Sequence, residues 1–352
     1  MRRLVSKCKS MYDGGADRER GAVAVVTALL LVVLLAASAL AVDGGMLYGK
    51  QAQLQSGADA AAIAVAQKCA ASLSDPQCAS TSTLATSLAQ SNMYQAQAGI
   101  ASLTVNTTAQ TVTAATQPLQ PGMQAGSVSL FLAQTLGITS AKVGASATAA
   151  WGSPSTGVAP FPLAFSICQV QGMINGAYQL LESHGSGANP SCNYGPSGAV
   201  VPGGFGWLVQ DSGQCGATIN IAQSEGGSSP GNSAPSNCGT ILAQWVATLS
   251  AGQRVIVLLP VFTAVTGTGS SAIYTLSGFA AYSVIGWNFG GTSTTNPNNS
   301  YNNQNPNGSS ALSCTGNCTG IIGQFVTFVA LDNTYQVGPS TPFGATIVRL
   351  TN

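Results

Sequence analysis

Few side chains in this sequence can move protons or attack a substrate. His184 is the only histidine, so any Ser-His-Asp or Cys-His arrangement must run through it. It stands in Glu182-Ser183-His184-Gly185-Ser186-Gly187, which reads as a helix end and a turn, where an imidazole interacts well with the helix dipole. Gly185-Ser186-Gly187 lacks the Gly-x-Ser-x-Gly spacing and the preceding strand of a nucleophile elbow. Glycoside hydrolysis needs two carboxylates across one cleft. Asp211, Glu225 and Asp332 could supply a pair, but no spacing draws them together. Asp59 falls on an Ala-rich helix and is expected to cap or pair locally. Asp43 lies where a long apolar run meets water and is expected to be solvated there. Gly203-Gly204 and Gly267-Thr268-Gly269 lack the Lys-Ser/Thr ending of a phosphate loop. These residues point to no catalytic site, no metal and no cofactor, and the chain is expected not to be an enzyme.

Of nine cysteines, Cys8 precedes the apolar run and the other eight follow it. Disulfides persist in oxidising compartments, so Cys69, Cys78, Cys168, Cys192, Cys215, Cys238, Cys314 and Cys318 are expected to pair with one another. Eight cysteines leave the connectivity open. Closeness favours Cys69–Cys78, Cys314–Cys318 and Cys215–Cys238, leaving Cys168–Cys192. Structural zinc prefers paired ligands at two- to four-residue spacing, which Cys314-x-x-x-Cys318 alone approaches. Cys8 is a bystander or a palmitoylation site near the membrane.

The elements that hold these groups are weakly charged. Only 6% of residues are Asp, Glu, Lys or Arg, while 45% are apolar and 42 are glycine; an average soluble protein carries roughly 25% charged residues. Residues 1–20 hold six basic side chains against three acidic ones. From residue 43 onward Lys50, Lys68, Lys142, Arg254 and Arg349 are scattered among seven carboxylates. Nucleic-acid binding needs clustered cations and is excluded. Ala22–Val42 runs 21 residues without a charge, a helix about as long as the hydrocarbon core is thick. The basic flank before it and Asp43 after it place the N-terminus in the cytoplasm. Two rival readings are a cleaved signal ending near Ala36-Ala37-Ser38-Ala39 and a buried core helix; a retained single span accounts best for the length.

Around the span the sequence reads Glu19-Arg20-Gly21, then Asp43, Leu54-Gln55 and Asp59-Ala60-Ala61. Over residues 19–70 this pattern resembles the N-terminal region of the TadE/TadG-like family, associated with assembly of Flp (tight adherence) pili. The resemblance implies a membrane-anchored, pilin-like accessory protein of a bacterial envelope. The segments GFGWL, LLPVF and GFAAYSV are more loosely similar to C-terminal regions found with this N-terminus in actinobacterial proteins. Two departures stand out. Ala22 to Val26 offer no acidic residue at the fifth position, where processed pilins of these systems carry one. Asp211-Ser212-Gly213-Gln214-Cys215 has the wrong spacing for the Asp-x-Ser-x-Ser metal site of a von Willebrand A domain.

The fold class expected is α+β: a single transmembrane helix continuing into a pilin-like helix-plus-sheet domain, then a β-rich, disulfide-linked extracytoplasmic domain. Its boundaries are a cytoplasmic segment at 1–21, the span at 22–42, the α+β region at 43–151, a linker at 152–159 and the β-rich part at 160–352. Residues 46–73 are Ala- and Gln-rich without proline, so helix is expected. Leu47, Leu54, Ala58, Ala61 and Val65 make a narrow apolar stripe. The stripe packs either on the chain's own next element or on neighbouring subunits. A second helix is predicted over 80–97 with Leu84 and Leu88 inward, two strands over 100–116, a short helix over 127–136 and a strand over 142–151. Strands are predicted at 254–262, 272–287 and 322–331, and an exposed loop at 288–313. Trp151, Trp207, Trp245 and Trp287, with Phe161, Phe205, Phe279 and Phe289, are expected in the core. The function expected is a membrane-anchored structural or accessory component of a Flp/Tad pilus or related secretion apparatus. Its partners are other membrane proteins of that apparatus, membrane lipid and the cell wall. The alternative is an anchored extracytoplasmic hydrolase or carbohydrate-binding protein.

Overall fold

The structure, a computed structural model, describes residues 2–183, 189–223, 225–229, 234–290 and 297–351. His184 and the Gly185-Ser186-Gly187 turn lie outside the described residues. A long apolar N-terminal helix precedes a β-rich body that holds four disulfides. The chain divides into two compact units: 1–61, 83–103 and 113–147 form one, and 62–82, 104–112 and 148–352 the other.

In the first unit α1 (Arg2–Ala71) begins, and it runs on into the second. No proline interrupts its 70 residues, and at 1.5 Å per residue it is about 105 Å long. Leu54, Ala58 and Ala61 are fully buried and Leu47 half-buried. α2 (Thr83–Ser91) is shorter than the predicted helix, and Ala85 and Ala89 are its fully buried residues; Leu84 and Leu88 are only half-buried. The reason lies at Gly57, where a Cβ would stand 3.2 Å from the Ala89 Cα. Backbones that close leave room only for small side chains. Leu54, Met93 and Ala98 form a small apolar core with Val143 and Ala145 against it. β1 (Ala98–Asn106) and β2 (Thr111–Pro118) are the two predicted strands, and both run through the division. The helix predicted over 127–136 is instead β3 (Ser127–Ser129) followed by a single 3-10 turn at Ala133–Leu136. Gly137, at a φ of +86°, ends that turn, and the chain returns as β4 (Ser140–Lys142), antiparallel to β3.

β5 (Ala145–Ala159) also crosses the division, and its second half is the segment 152–159 expected as a linker. Its glycines read as linker residues but serve close packing. A Cβ on Gly152 would meet the Gly338 carbonyl, and one on Gly157 would meet the Tyr335 ring. In the second unit β6 (Leu163–Ser166) leads into α3 (Ile167–Val170), capped by the Ser166 hydroxyl. Then come β7 (Gln179–Glu182), β8 (Phe205–Trp207), β9 (Ala217–Asn220), β10 (Glu225–Gly227) and α4 (Gly239–Ser250). β11 (Val255–Thr266) and β12 (Ile273–Asn288) are antiparallel, with Val255 opposite Val284. Pro260 has no N–H for the ladder, and the register shifts just beyond it, between Val261 and Ala264. β13 (Ser300–Tyr301) and β14 (Gly320–Val326) pair with β12, giving the order β7-β14-β12-β11-β6-β8. The strand predicted over 322–331 breaks at Thr327. The Asn175 side chain accepts from Thr327 N at 2.9 Å and donates to its hydroxyl at 3.0 Å, and β15 (Phe328–Leu331) enters another sheet. There it lies parallel to β17 (Ala345–Leu350), which pairs with β5. β16 (Gln336–Gly338) and β9 also pair with β5.

The core of this unit is aromatic. Phe161 lies 4.9 Å from Trp245, 5.4 Å from Phe289 and 5.7 Å from Trp207 between ring centres, and Trp245 meets Trp287 edge-on at 5.6 Å. All eight aromatic residues expected inside are buried. The loop expected to be exposed at 288–313 is partly built into the body among its described residues: Asn299, Pro306 and Leu312 are buried. Its asparagines replace ladder hydrogen bonds. Asn302 donates to the Ile285 carbonyl and Asn303 to the Cys314 carbonyl.

Candidate functional site

Along 23–42 the α1 side chains are almost all bare. Leu29, Leu34 and Leu40 are 64%, 65% and 72% exposed. The most apolar window of this helix has a mean hydropathy of 2.8, and none of that window is covered by the rest of the chain. By length and composition it is a candidate to cross a membrane, and a bare apolar cylinder this large marks a surface that something else must cover.

Asp43 is the residue directly after that segment, and it is buried rather than solvated. Its carboxylate accepts four hydrogen bonds from backbone amides: Phe131 N at 2.8 Å, Leu132 N at 3.2 and 3.1 Å, and Ala133 N. These amides open the 3-10 turn, whose own N-cap, Leu132, has no side chain able to accept. Burial raises the pKa of Asp43, but the amides of Ala133, Phe131 and Leu132 outweigh it and hold the carboxyl below its ordinary value of 3.8. The expectation of interfacial solvation is thereby corrected. The partner is a backbone segment 88 residues away, in a stretch that the sequence pattern presented only as a short helix.

Further along α1, Gln55 donates to Asp59 at 2.8 Å and to the Ser146 carbonyl of β5 at 3.2 Å. The buried Thr116 hydroxyl of β2 donates to the Leu54 carbonyl at 2.8 Å. Leu54 and Gln55 of the Leu-Gln and Asp-Ala-Ala pattern therefore tie the helix to β2 and β5, strands of one seven-stranded sheet, and Asp59 pairs locally. Of the expected stripe, Leu54, Ala58, Ala61 and Val65 are buried within the chain and Leu47 is half-buried.

Two of the other candidate carboxylates make local hydrogen bonds. Asp211 accepts from the Thr218 hydroxyl at 2.7 Å, and Asp332 accepts from the backbone and hydroxyl of Thr334 at 2.7 and 2.6 Å. Among the described residues no group of three or more His, Cys, Asp or Glu is placed to hold a metal. A cavity of about 310 Å³ beside Cys215 is lined by Val158, Gln214, Asn237 and Thr240, and one of about 270 Å³ by Thr107, Gln110, Trp151 and Ser340. Neither lining includes an ionisable side chain. The disulfides are Cys69–Cys78, Cys168–Cys192, Cys215–Cys238 and Cys314–Cys318, with Cα separations of 4.8, 5.5, 4.6 and 5.2 Å. All four lie in the second unit.

Residues 21–68 match the model of a family described as putative Flp pilus-assembly TadE/G-like. The matched segment holds the apolar helix, Asp43, Gln55 and Asp59. No curated protein and no solved structure matches the chain.

Proposed function

Taking residues 21–68 as a TadE/G-like Flp pilus-assembly segment, we propose that this chain is a membrane-anchored accessory component of a bacterial Flp/Tad pilus or a related secretion apparatus. The observation that carries this reading is the coincidence of the matched residues with the bare apolar helix and the contacts that fix its continuation. The N-terminus lies in the cytoplasm and the body outside. Six basic residues precede the span, and all eight cysteines beyond it form disulfides, which an oxidising compartment preserves.

The role is structural rather than catalytic, and the stem is pilin-like: a long helix bonded along its continuation to strands β2 and β5. The partners are membrane proteins of the same apparatus, the surrounding lipid and the wall. A surface of Asn, Ser, Thr and Gly suits such contacts because it hydrogen-bonds without strong charge repulsion. The hydrolase alternative has less support, because Asp211 is engaged by the Thr218 hydroxyl of β9 and Asp332 by Thr334. The test is deletion of the pilus-assembly secretion ATPase in the host, followed by fractionation. The expected result is a changed location or loss of the protein from the surface. Unchanged display together with unchanged partners would refute the proposal.

A further inference from the structure

The apolar side chains bared along residues 23–42 are explained by a bilayer. Of the exposed apolar and aromatic residues elsewhere in this unit, which also include Tyr48, Tyr94 and Leu119, two share one loop: Phe131 is 66% exposed and Ile138 is 55% exposed. They stand at either end of the 131–138 segment, on the loop that Asp43 holds. That hold fixes the loop's level. Phe131 N lies 2.8 Å from the carboxylate of the residue that directly follows the apolar segment. The headgroup layer beyond the hydrocarbon core is roughly 5–8 Å deep on each side, comparable with one helical turn. The start of the loop cannot rise out of that layer while Asp43 keeps its bonds. Residues 127–141 carry no charge, and Lys142, exposed, is the first after them. Tyr48, 76% exposed and five residues beyond Asp43, places another aromatic ring about 7.5 Å further up the helix. Aromatic and branched side chains without charge are what this layer accommodates.

We infer that the loop between β3 and β4 is a second membrane contact: Phe131 and Ile138 insert into the headgroup–acyl boundary of the bilayer that α1 crosses, and Asp43 holds them there. The inference rests on reading Ala22–Val42 as membrane-spanning. A single helix is free to tilt and rotate, and a second contact beside its exit restrains both.

The test uses the full chain in vesicles of phosphatidylethanolamine and phosphatidylglycerol. The photoreactive residue benzoylphenylalanine replaces Phe131, Ile138, Leu34 or Tyr94 in turn, all exposed positions. Tyr94 is the dry-side control: its N–H donates to Gln53, about 15 Å beyond Asp43 along the helix. After irradiation, phospholipid adducts are expected at 34, 131 and 138 and none above background at 94. Asp43→Ala should abolish the adducts at 131 and 138 and leave those at 34. Adducts at 34 without any at 131 and 138, or adducts at 131 and 138 to a second copy of the chain, would overturn the lipid contact and leave the anchor standing. Absence of adducts at 34 would overturn the anchor and the inference with it.

Discussion

At the scale of single residues, Asp43 sets the geometry of the stem. Its lowered pKa makes the direction of its pH response definite. A carboxyl whose folded pKa lies below the unfolded value contributes stability above that value and loses it as pH falls through the folded one. The amides of Phe131, Leu132 and Ala133 should therefore keep their protection from neutral pH down to the ordinary carboxyl value of 3.8 and lose it only below. Hydrogen exchange read amide by amide checks this, and Asp43→Asn should remove the transition. Protection lost already at pH values above 3.8 would contradict the assignment. In the aromatic core Trp245→Ala strips one ring from contact with Phe161 and Trp287. A fully packed aromatic residue truncated to alanine costs about 3–5 kcal/mol, and denaturant unfolding of the body should report a loss of that order.

At the scale of elements, α1 continues past the apolar segment through Gly44 and Gly45, neither of which has an atom within 4 Å of where a Cβ would stand. Glycine inside a helix costs about 1 kcal/mol against alanine, so this is the weakest stretch of the stem. The double substitution Gly44→Ala, Gly45→Ala should slow amide exchange over the following turn without disturbing any contact. Unaltered exchange would mean that something else limits helix opening there. Elements with a local signature were legible in the sequence: the apolar run, the Ala-rich helix up to Ala71, the alternating β1 and β2, and the β11–β12 pair. Those defined by distant partners were not. Nothing near 152–159 announces that Gly338 and Tyr335 need its glycines, and nothing near Thr327 announces that Asn175 will divide the strand. In α2 the sequence shows two leucines, whereas the inward face is set by Gly57 on another helix. The candidate site divides the same way. Its apolar segment and the Gln55–Asp59 pair are local, while the Asp43 clamp joins residues 88 apart.

At the scale of the whole molecule, charge and cysteine usage agree. With 6% charged residues, the chain has little to gain from ion pairs. Among the described residues Lys68 and Asp75 make a loose one at 3.9 Å, worth little at an exposed site. The disulfides close loops of 4 to 24 residues, and each restrains the unfolded chain. Replacing Cys168 and Cys192 together by alanine should lower stability by about 2–5 kcal/mol in denaturant unfolding. No measurable change would show that the bridge is decorative. The central claim is that one helix separates a short cytoplasmic segment from a disulfide-linked body outside. Because eight of the nine cysteines pair with one another, Cys8 is the thiol left to report on it. A membrane-impermeant maleimide applied to intact spheroplasts should leave Cys8 unlabelled and should label it once the membrane is opened. Labelling of Cys8 before the membrane is opened would contradict the account.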